Sequence, residues 1–309
     1  MTAKSERKSL QIDNCWLFAI SSKVDLARRL STEKSSVSVA DLHRLSGDLG
    51  NFKLFKIRQR DKEREVQEPK RELQRLHARI HKLLARIQVP NYLHSAVKGK
   101  SYLTNARAHA FGSPTIKIDV KKFFPSVQRV AIFTFFERTM HCRRDVAGLL
   151  ADLLSFDARL PTGSSASPII AYYAFKPMFD ALHALAERNG LEMTCYVDDI
   201  TMSGDAAGRT VLFEAHRIIS SFGLKSHKMK VFPANRPKII TGVCNSTEGE
   251  RVPNGLHLKI KRGFDELELA QTAIERDKTL EQLLGRMEAA RQIDPTFGAR
   301  AKSLRAAMK

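Results

Sequence analysis

The segment MTCYVDDITMSG, residues 193–204, leaves this chain the fewest choices of fold. Apolar and small residues lead up to and away from Asp198-Asp199, with room for two short strands and a tight turn. Adjacent carboxylates repel each other and desolvate poorly, so they are tolerated at a solvated tip or around a cation. Cys195, Val197 and Ile200 make the ribbon beneath that tip apolar. A second strand is predicted in PTIKIDVKKFF, with Ile116, Ile118 and Val120 on one face and Lys117, Asp119 and Lys121 on the other. If the two strands are neighbours, three carboxylates converge at one spot. Hard oxygens of that kind suit Mg²⁺, and a pair of such ions can activate a hydroxyl and stabilise a leaving phosphate. On these residues alone, a solvated turn beside an unrelated strand-end Asp stays open.

The rest of the chain reads as helices around that centre. In the first fifty residues Leu26, Ala27 and Leu30 share one face, and Ser38 is placed to cap a helix carrying Leu42 and Leu45. FKLFKIRQRDKEREVQEPK reads as short strands joined by a charged turn. After Pro69, Leu73, Leu76, Ile80, Leu83, Leu84 and Ile87 fall at helical spacing up to Pro90. Helices are predicted near 128–139 and 145–156, and one long helix from Pro168 to Gly190. Another runs from Arg209 to Phe222 and stops at Gly223. Beyond Asn254 the chain is basic and helical, with Leu267, Ala270 and Ile274 in phase, as a separate small module. Lys and Arg total 52 against 33 Asp and Glu, a net charge of +19 that favours a polyanionic partner. A membrane surface competes as that polyanion, but the basic residues are spread along the chain rather than massed on one amphipathic helix. No apolar run reaches the roughly 18–20 residues of a membrane span, and the N-terminus lacks an apolar signal core. The four cysteines are scattered without zinc spacing, as in a reduced cytoplasmic protein.

Three motifs then combine. YVDD, Tyr196 to Asp199, resembles the Y-x-D-D hairpin of reverse transcriptases. IDVKKFFPSV, Ile118 to Val127, resembles that family's first catalytic motif, and LPTGSSASP, Leu160 to Pro168, its substrate-positioning loop. NARAH (Asn105 to His109), ITGVCN (Ile240 to Asn245) and GLKSHKMK (Gly223 to Lys230) are similar to segments of bacterial retron reverse transcriptases, with His227 where Asn is usual. The resemblance spans roughly residues 50 to 300.

The resemblance implies an α+β right-hand polymerase. Residues 1–50 form a helical extension, 51–115 the fingers, 116–238 the palm with an antiparallel sheet on helices, and 239–309 a small helical thumb. It also implies that Asp119 and Asp198 bind two Mg²⁺ ions, with Asp199 in support. Phe124 is the implied steric gate against ribonucleotides; a core Phe beside Phe123 is the plainer alternative. Gly163 and Thr162, the latter in place of the family's Gln, Arg64 (with Lys62 as second choice) and Lys230 are implied nucleotide contacts. A solvated charged loop and a basic edge strand are the alternatives for Arg64 and Lys230. Asn105, His109, Thr241 and Gly242 are implied RNA contacts, against structural and turn roles, and Lys259 and Arg262 grip the nucleic-acid backbone. The implied activity is RNA-directed DNA synthesis from deoxynucleoside triphosphates, copying a cognate structured non-coding RNA primed from its 2′-hydroxyl. The branched product serves anti-phage defence with a separate effector protein. Another bacterial class (group II intron, diversity-generating or abortive-infection) and a catalytically idle RNA-binding scaffold are the rivals. NARAH and ITG argue against the first, and intact Asp119, Phe124, Asp198 and Asp199 against the second.

Overall fold

A computed structural model describes residues 9–59 and 62–307. Its first helices, α1 (Lys23–Leu30) and α2 (Val39–Leu45), bury Leu26, Ala27, Leu30, Leu42 and Leu45, and Ser38 and Asp41 close a reciprocal capping box on α2. A two-stranded antiparallel ribbon follows, β1 (Phe52–Gln59) and β2 (Lys62–Pro69). Pro69 ends it, and α3 (Arg71–Leu84) turns Leu73, Leu76, Ile80, Leu83 and Leu84 into the core. The helix stops at Leu84, so Ile87 is buried outside it, bridged to Leu10.

After the short α4 (Tyr102–Arg107) comes β3 (Thr115–Val120), then α5 (Phe123–Ser126), α6 (Arg129–Thr134) with a π-helical turn Phe135–Thr139, and α7 (Arg144–Leu153). The long helix expected from Pro168 to Gly190 is two, α8 (Ser167–Ala174) and α9 (Lys176–Arg188). Pro177 has no N–H to give and its ring crowds the carbonyl one turn back, which breaks the run at Phe175. Next are β4 (Glu192–Tyr196), β5 (Asp199–Ser203), α10 (Arg209–Ser221) and β6 (Ser226–Phe232). These strands and β3 form one antiparallel sheet in the order β4-β5-β3-β6, with α9 and α10 packed on it. Its buried face carries Ile116, Ile118, Val120, Met193, Cys195, Ile200 and Met202. One continuous core joins this sheet to the N-terminal helices.

A small sheet, β7 (Lys238–Ile240), β8 (Val243–Ser246) and β9 (Gly249–Arg251), leads to α11 (Asn254–Leu269), α12 (Ala273–Arg291) and α13 (Thr296–Ala307). These last helices enclose their own core around Ile260, Leu283, Met287 and Phe297. The predicted phase of Leu267, Ala270 and Ile274 fails. Thr272 and Glu275 cap a new helix, Ala270 is extended, and Ile274 is exposed while Leu267 alone is buried. No helix among the described residues is long and apolar enough to cross a membrane.

Candidate active site

β4 and β5 meet at a tip where Tyr196 pairs with Asp199 and Val197 adopts a left-handed φ of 59°. A β-branched residue rarely takes that conformation, so the tip needs external support. Ser95 supplies it by accepting the Val197 N–H at 3.0 Å, while Cys195 exchanges backbone bonds with Tyr92 and His94. On the other side, the Val120 N–H donates to the Asp198 carbonyl at 3.0 Å, and Asp119 is the register partner of Asp199. The expected neighbourhood of Asp119, Asp198 and Asp199 is therefore present.

Their charges are unequally balanced. Burial, then repulsion from Asp119, pushes the Asp198 carboxyl up to about 6, and Asp199 adds to the rise. Lys117 Nζ sits 3.3 Å from Asp199 Oδ1. Asp119 is nearly buried and faces two bases of β6: Lys228 Nζ donates to Oδ2 at 2.9 Å, and His227 Nδ1 lies 2.9 Å from Oδ1 but off the line a hydrogen bond needs. Both can reach one carboxylate because β6 bulges. Lys117 pairs with Lys230 and Asp119 with His227, leaving two β6 residues opposite Ile118. Lys228 is left-handed there (φ 51°), which re-aims its side chain. The expected basic residue, Lys230, is exposed opposite Lys117, so Lys228 is the β6 lysine that reaches Asp119. Regular alternation along β6 gives no sign of this bulge.

Among the described residues no group of three or more His, Cys, Asp or Glu side chains is positioned to hold a metal. The donor chemistry nevertheless fits a hard divalent cation. Three carboxylates meet at neighbouring strand ends, and burial together with repulsion from its neighbours raises Asp198.

Phe124, on α5, is half-buried and stacks on Phe123 with ring centroids 6.2 Å apart. The 160–167 loop is tied to α5's exit, where the Leu160 N–H donates to Val127 O at 3.0 Å. His77, fully buried on α3, holds the loop from behind. Its Nε2 is 2.7 Å from the Leu153 carbonyl, which can only accept, so Nε2 carries the hydrogen. Nδ1 then accepts from the Ser164 hydroxyl at 2.6 Å, and Ser164 in turn accepts the Ala166 N–H. Burial pushes His77 down to about 4 and keeps it neutral. A polar residue in phase with Leu73, Ile80 and Leu84 was the available sequence signal.

Gly163 does approach another backbone closely, but the partner is β2. Its N–H donates to Gln67 O at 3.0 Å, and a Cβ there would lie 2.8 Å from that oxygen. Thr162 is bonded to the same strand. Arg64 is exposed on β2 and stands opposite Ile57; the Lys62 side chain lies outside the described residues.

The direct RNA contact expected of Asn105 and His109 is not what the structure shows. Both side chains are buried, at 0% and 1% exposure. His109 spans the roots of the Asp198-Asp199 hairpin, bonding Thr194 on β4 and Ser203 on β5, each at 2.7 Å. Burial pushes it down to about 3. Asn105 Nδ2 faces Thr241 Oγ1 at 3.4 Å, and Thr241 donates to Tyr102 O at 2.8 Å. Thr241 and Gly242, both at positive φ, form the two-residue turn between β7 and β8. Asn245 on β8 donates to the carbonyls of Ala106 and His109, and Arg107 makes a two-pronged pair with Glu250 on β9. These residues bolt the C-terminal sheet to the hairpin that carries Asp198 and Asp199. Lys259 and Arg262 are exposed on α11.

No family model matches the chain. Over 158 residues it is 32% identical to the retron Se72 reverse transcriptase of Salmonella heidelberg, covering 50% of this chain and 42% of that one. Over 313 residues it is 25% identical to the retron Mx162 reverse transcriptase of Myxococcus xanthus, covering 88% and 64%. The chain thus spans less than two thirds of either relative's length. A solved foamy viral protease-reverse transcriptase in complex with double-stranded DNA aligns over 83% of this chain and 38% of that one, with a TM-score of 0.48 and 15% identity.

Proposed function

We propose that this chain, which belongs to the retron reverse transcriptase family, is an RNA-directed DNA polymerase. The observation that carries the reading is the meeting of Asp119, Asp198 and Asp199 at adjacent strand ends, anchored by the Val120 N–H to Asp198 carbonyl bond. Asp119 and Asp198 are the residues that would hold two Mg²⁺ ions, with Asp199 in support. When bound, such ions supply the positive charge that activates a primer hydroxyl and offsets the charge of departing pyrophosphate. The chain's own residues do the positioning. Lys117 and Lys228 balance the carboxylates, and Lys228, half in solvent, can swing away from Asp119. Phe124 presses on the sugar's 2′ position, so the product is DNA. Arg64 and Lys230, both exposed basic residues, are proposed to meet the triphosphate, and Lys259 and Arg262 to follow the template–primer backbone.

The template in this reading is a cognate structured non-coding RNA, primed from one of its own 2′-hydroxyls to give branched RNA–DNA. Its use in anti-phage defence with a separate effector, in the cytoplasm, belongs to the same proposal. Asn105, His109, Thr241 and Gly242 serve it by holding the thumb on the palm, so their influence on RNA choice runs through domain position.

The test is to purify the protein with its bound nucleic acid, digest with RNase or DNase, and sequence what remains, beside Asp198→Asn and Asp199→Asn. Wild type is expected to carry DNA copied from one RNA and joined to it by a 2′,5′-branch. Finding the same DNA on the variants, or none on wild type, would overturn the polymerase reading. DNA without a branch would overturn only the priming.

A further inference from the structure

We propose that Gln67, on β2 of the ribbon, is a nucleotide-binding residue whose carboxamide nitrogen donates to the incoming nucleotide at the seam with the 160–163 loop. The inference rests on the polymerase reading above. It starts from what Thr162 has left to offer. The Thr162 hydroxyl has one hydrogen, and it faces two acceptors of β2, Gln67 Oε1 at 3.0 Å and Glu65 O at 3.1 Å. The Thr162 backbone N–H points at the same Gln67 Oε1, at 3.3 Å. Both donors of Thr162 are therefore engaged by the ribbon, and neither is free for a substrate.

The same bonds fix the Gln67 carboxamide. A backbone N–H can only donate, so the atom facing it is the oxygen and the amide orientation follows. Nε2 then keeps two hydrogens with no hydrogen-bond partner among the described residues, on a half-buried side chain. Backbone contact holds the amide in place as well. Gly163 N–H donates to Gln67 O at 3.0 Å, and a Cβ on residue 163 would meet Glu68 Cα at 2.9 Å, so ribbon and loop lie closer than any other residue type permits. The loop's other end is bonded through Leu160 to Val127, directly after the turn that carries Phe124. An unpartnered amide donor and the sugar-facing ring thus stand on one continuous hydrogen-bonded strip.

Steady-state primer extension on an RNA template tests this with Gln67→Glu, Gln67→Ala and the double variant Gln67→Ala/Thr162→Gln. Gln67→Glu keeps the acceptor for Thr162 but removes the donor. Both single variants are expected to raise KM for deoxynucleotides roughly five- to tenfold, the loss of one substrate hydrogen bond, with kcat little changed. Placing an amide on the loop in the double variant is expected to recover most of that KM, which a purely structural latch does not predict. Thermal unfolding of each variant identifies loss through misfolding. If Gln67→Glu and Gln67→Ala both fold and keep the wild-type KM, or if the double variant is no better than Gln67→Ala, Gln67 is a latch only and the inference fails. If wild type itself extends no primer, the polymerase reading falls, and this one with it.

Discussion

At the residue scale, one side chain proposed for the site is only partly claimed by the core. Phe124 stacks on Phe123, whose own ring is fixed by Phe175 and Phe179 in the core, yet it remains only half-buried. Packing alone would favour turning the ring fully inward, since about 25 cal/mol follows each Å² of apolar surface buried. A ring held part-way out suits a sugar contact. Phe124→Ala is therefore expected to lower the preference for deoxy- over ribonucleotides by roughly 10–100-fold, the range an apolar wall achieves against one added hydroxyl. The ratio of kcat/KM for matched dNTP and rNTP pairs measures it. An unchanged ratio in an active variant would return Phe124 to the core. The three carboxylates of the site were legible in the sequence because charge on an apolar strand is an anomaly that one line of residues displays. Their basic partners were not: Lys228 reaches Asp119 through a bulge, and a bulge depends on the neighbouring strand.

Elements were legible wherever local chemistry agreed with packing. Ser38 gave the start of α2 that the structure keeps, whereas α3 ends before Ile87, and Pro177 and the Thr272–Glu275 box cut helices that apolar periodicity had joined. The joint between the α4 segment and the C-terminal sheet was invisible for a different reason, because its partners lie more than a hundred residues apart. Lys238, at the start of β7, shows what that joint demands. It is 1% exposed, and its ammonium lies within hydrogen-bonding distance of the carbonyls of Ala110 (2.8 Å), Phe111 (3.1 Å) and Ser113 (2.6 Å) and of Thr115 Oγ1 (2.9 Å). Burial lowers its pKa, and these oxygens are what keep a cation acceptable there. Lys238→Met fits the volume but leaves several carbonyls without a donor. Urea unfolding is expected to show a loss of about 2–4 kcal/mol, with hydrogen exchange rising first in residues 110–115 and 238–245. A variant within about 0.5 kcal/mol of wild type, the usual range for a surface change, would mean that water replaces the ammonium and the joint does not depend on it.

Across the whole molecule, three buried histidines sit in or against the main body among the described residues, while the C-terminal helices have their own core with His257 exposed at its edge. His77 and His94 are held down at about 4 and His109 at about 3, chiefly by burial, against 6.5 for a free imidazole. The unfolded chain takes these protons first, so their contribution is complete above pH 6.5 and is lost as pH falls toward 4. At about 1.4 kcal/mol per unit, His77 alone accounts for roughly 3 kcal/mol over that interval. Asp198 works in the opposite direction. Its carboxyl is raised to about 6 from 3.8, so the folded chain takes that proton first and relieves the repulsion with Asp119 as pH falls. Three losses thus oppose one gain, and the main body is expected to lose several kcal/mol between pH 6.5 and 4 in metal-free buffer. Asp198→Asn removes the gain and leaves the losses, so the variant should start more stable near neutrality and decline more steeply. Region-resolved hydrogen exchange across that pH range reads both effects, with residues 254–307 changing least because their core contains none of these histidines. A uniform response along the chain, or a variant whose slope matches wild type, would show that the buried imidazoles and Asp198 do not set the acid limb.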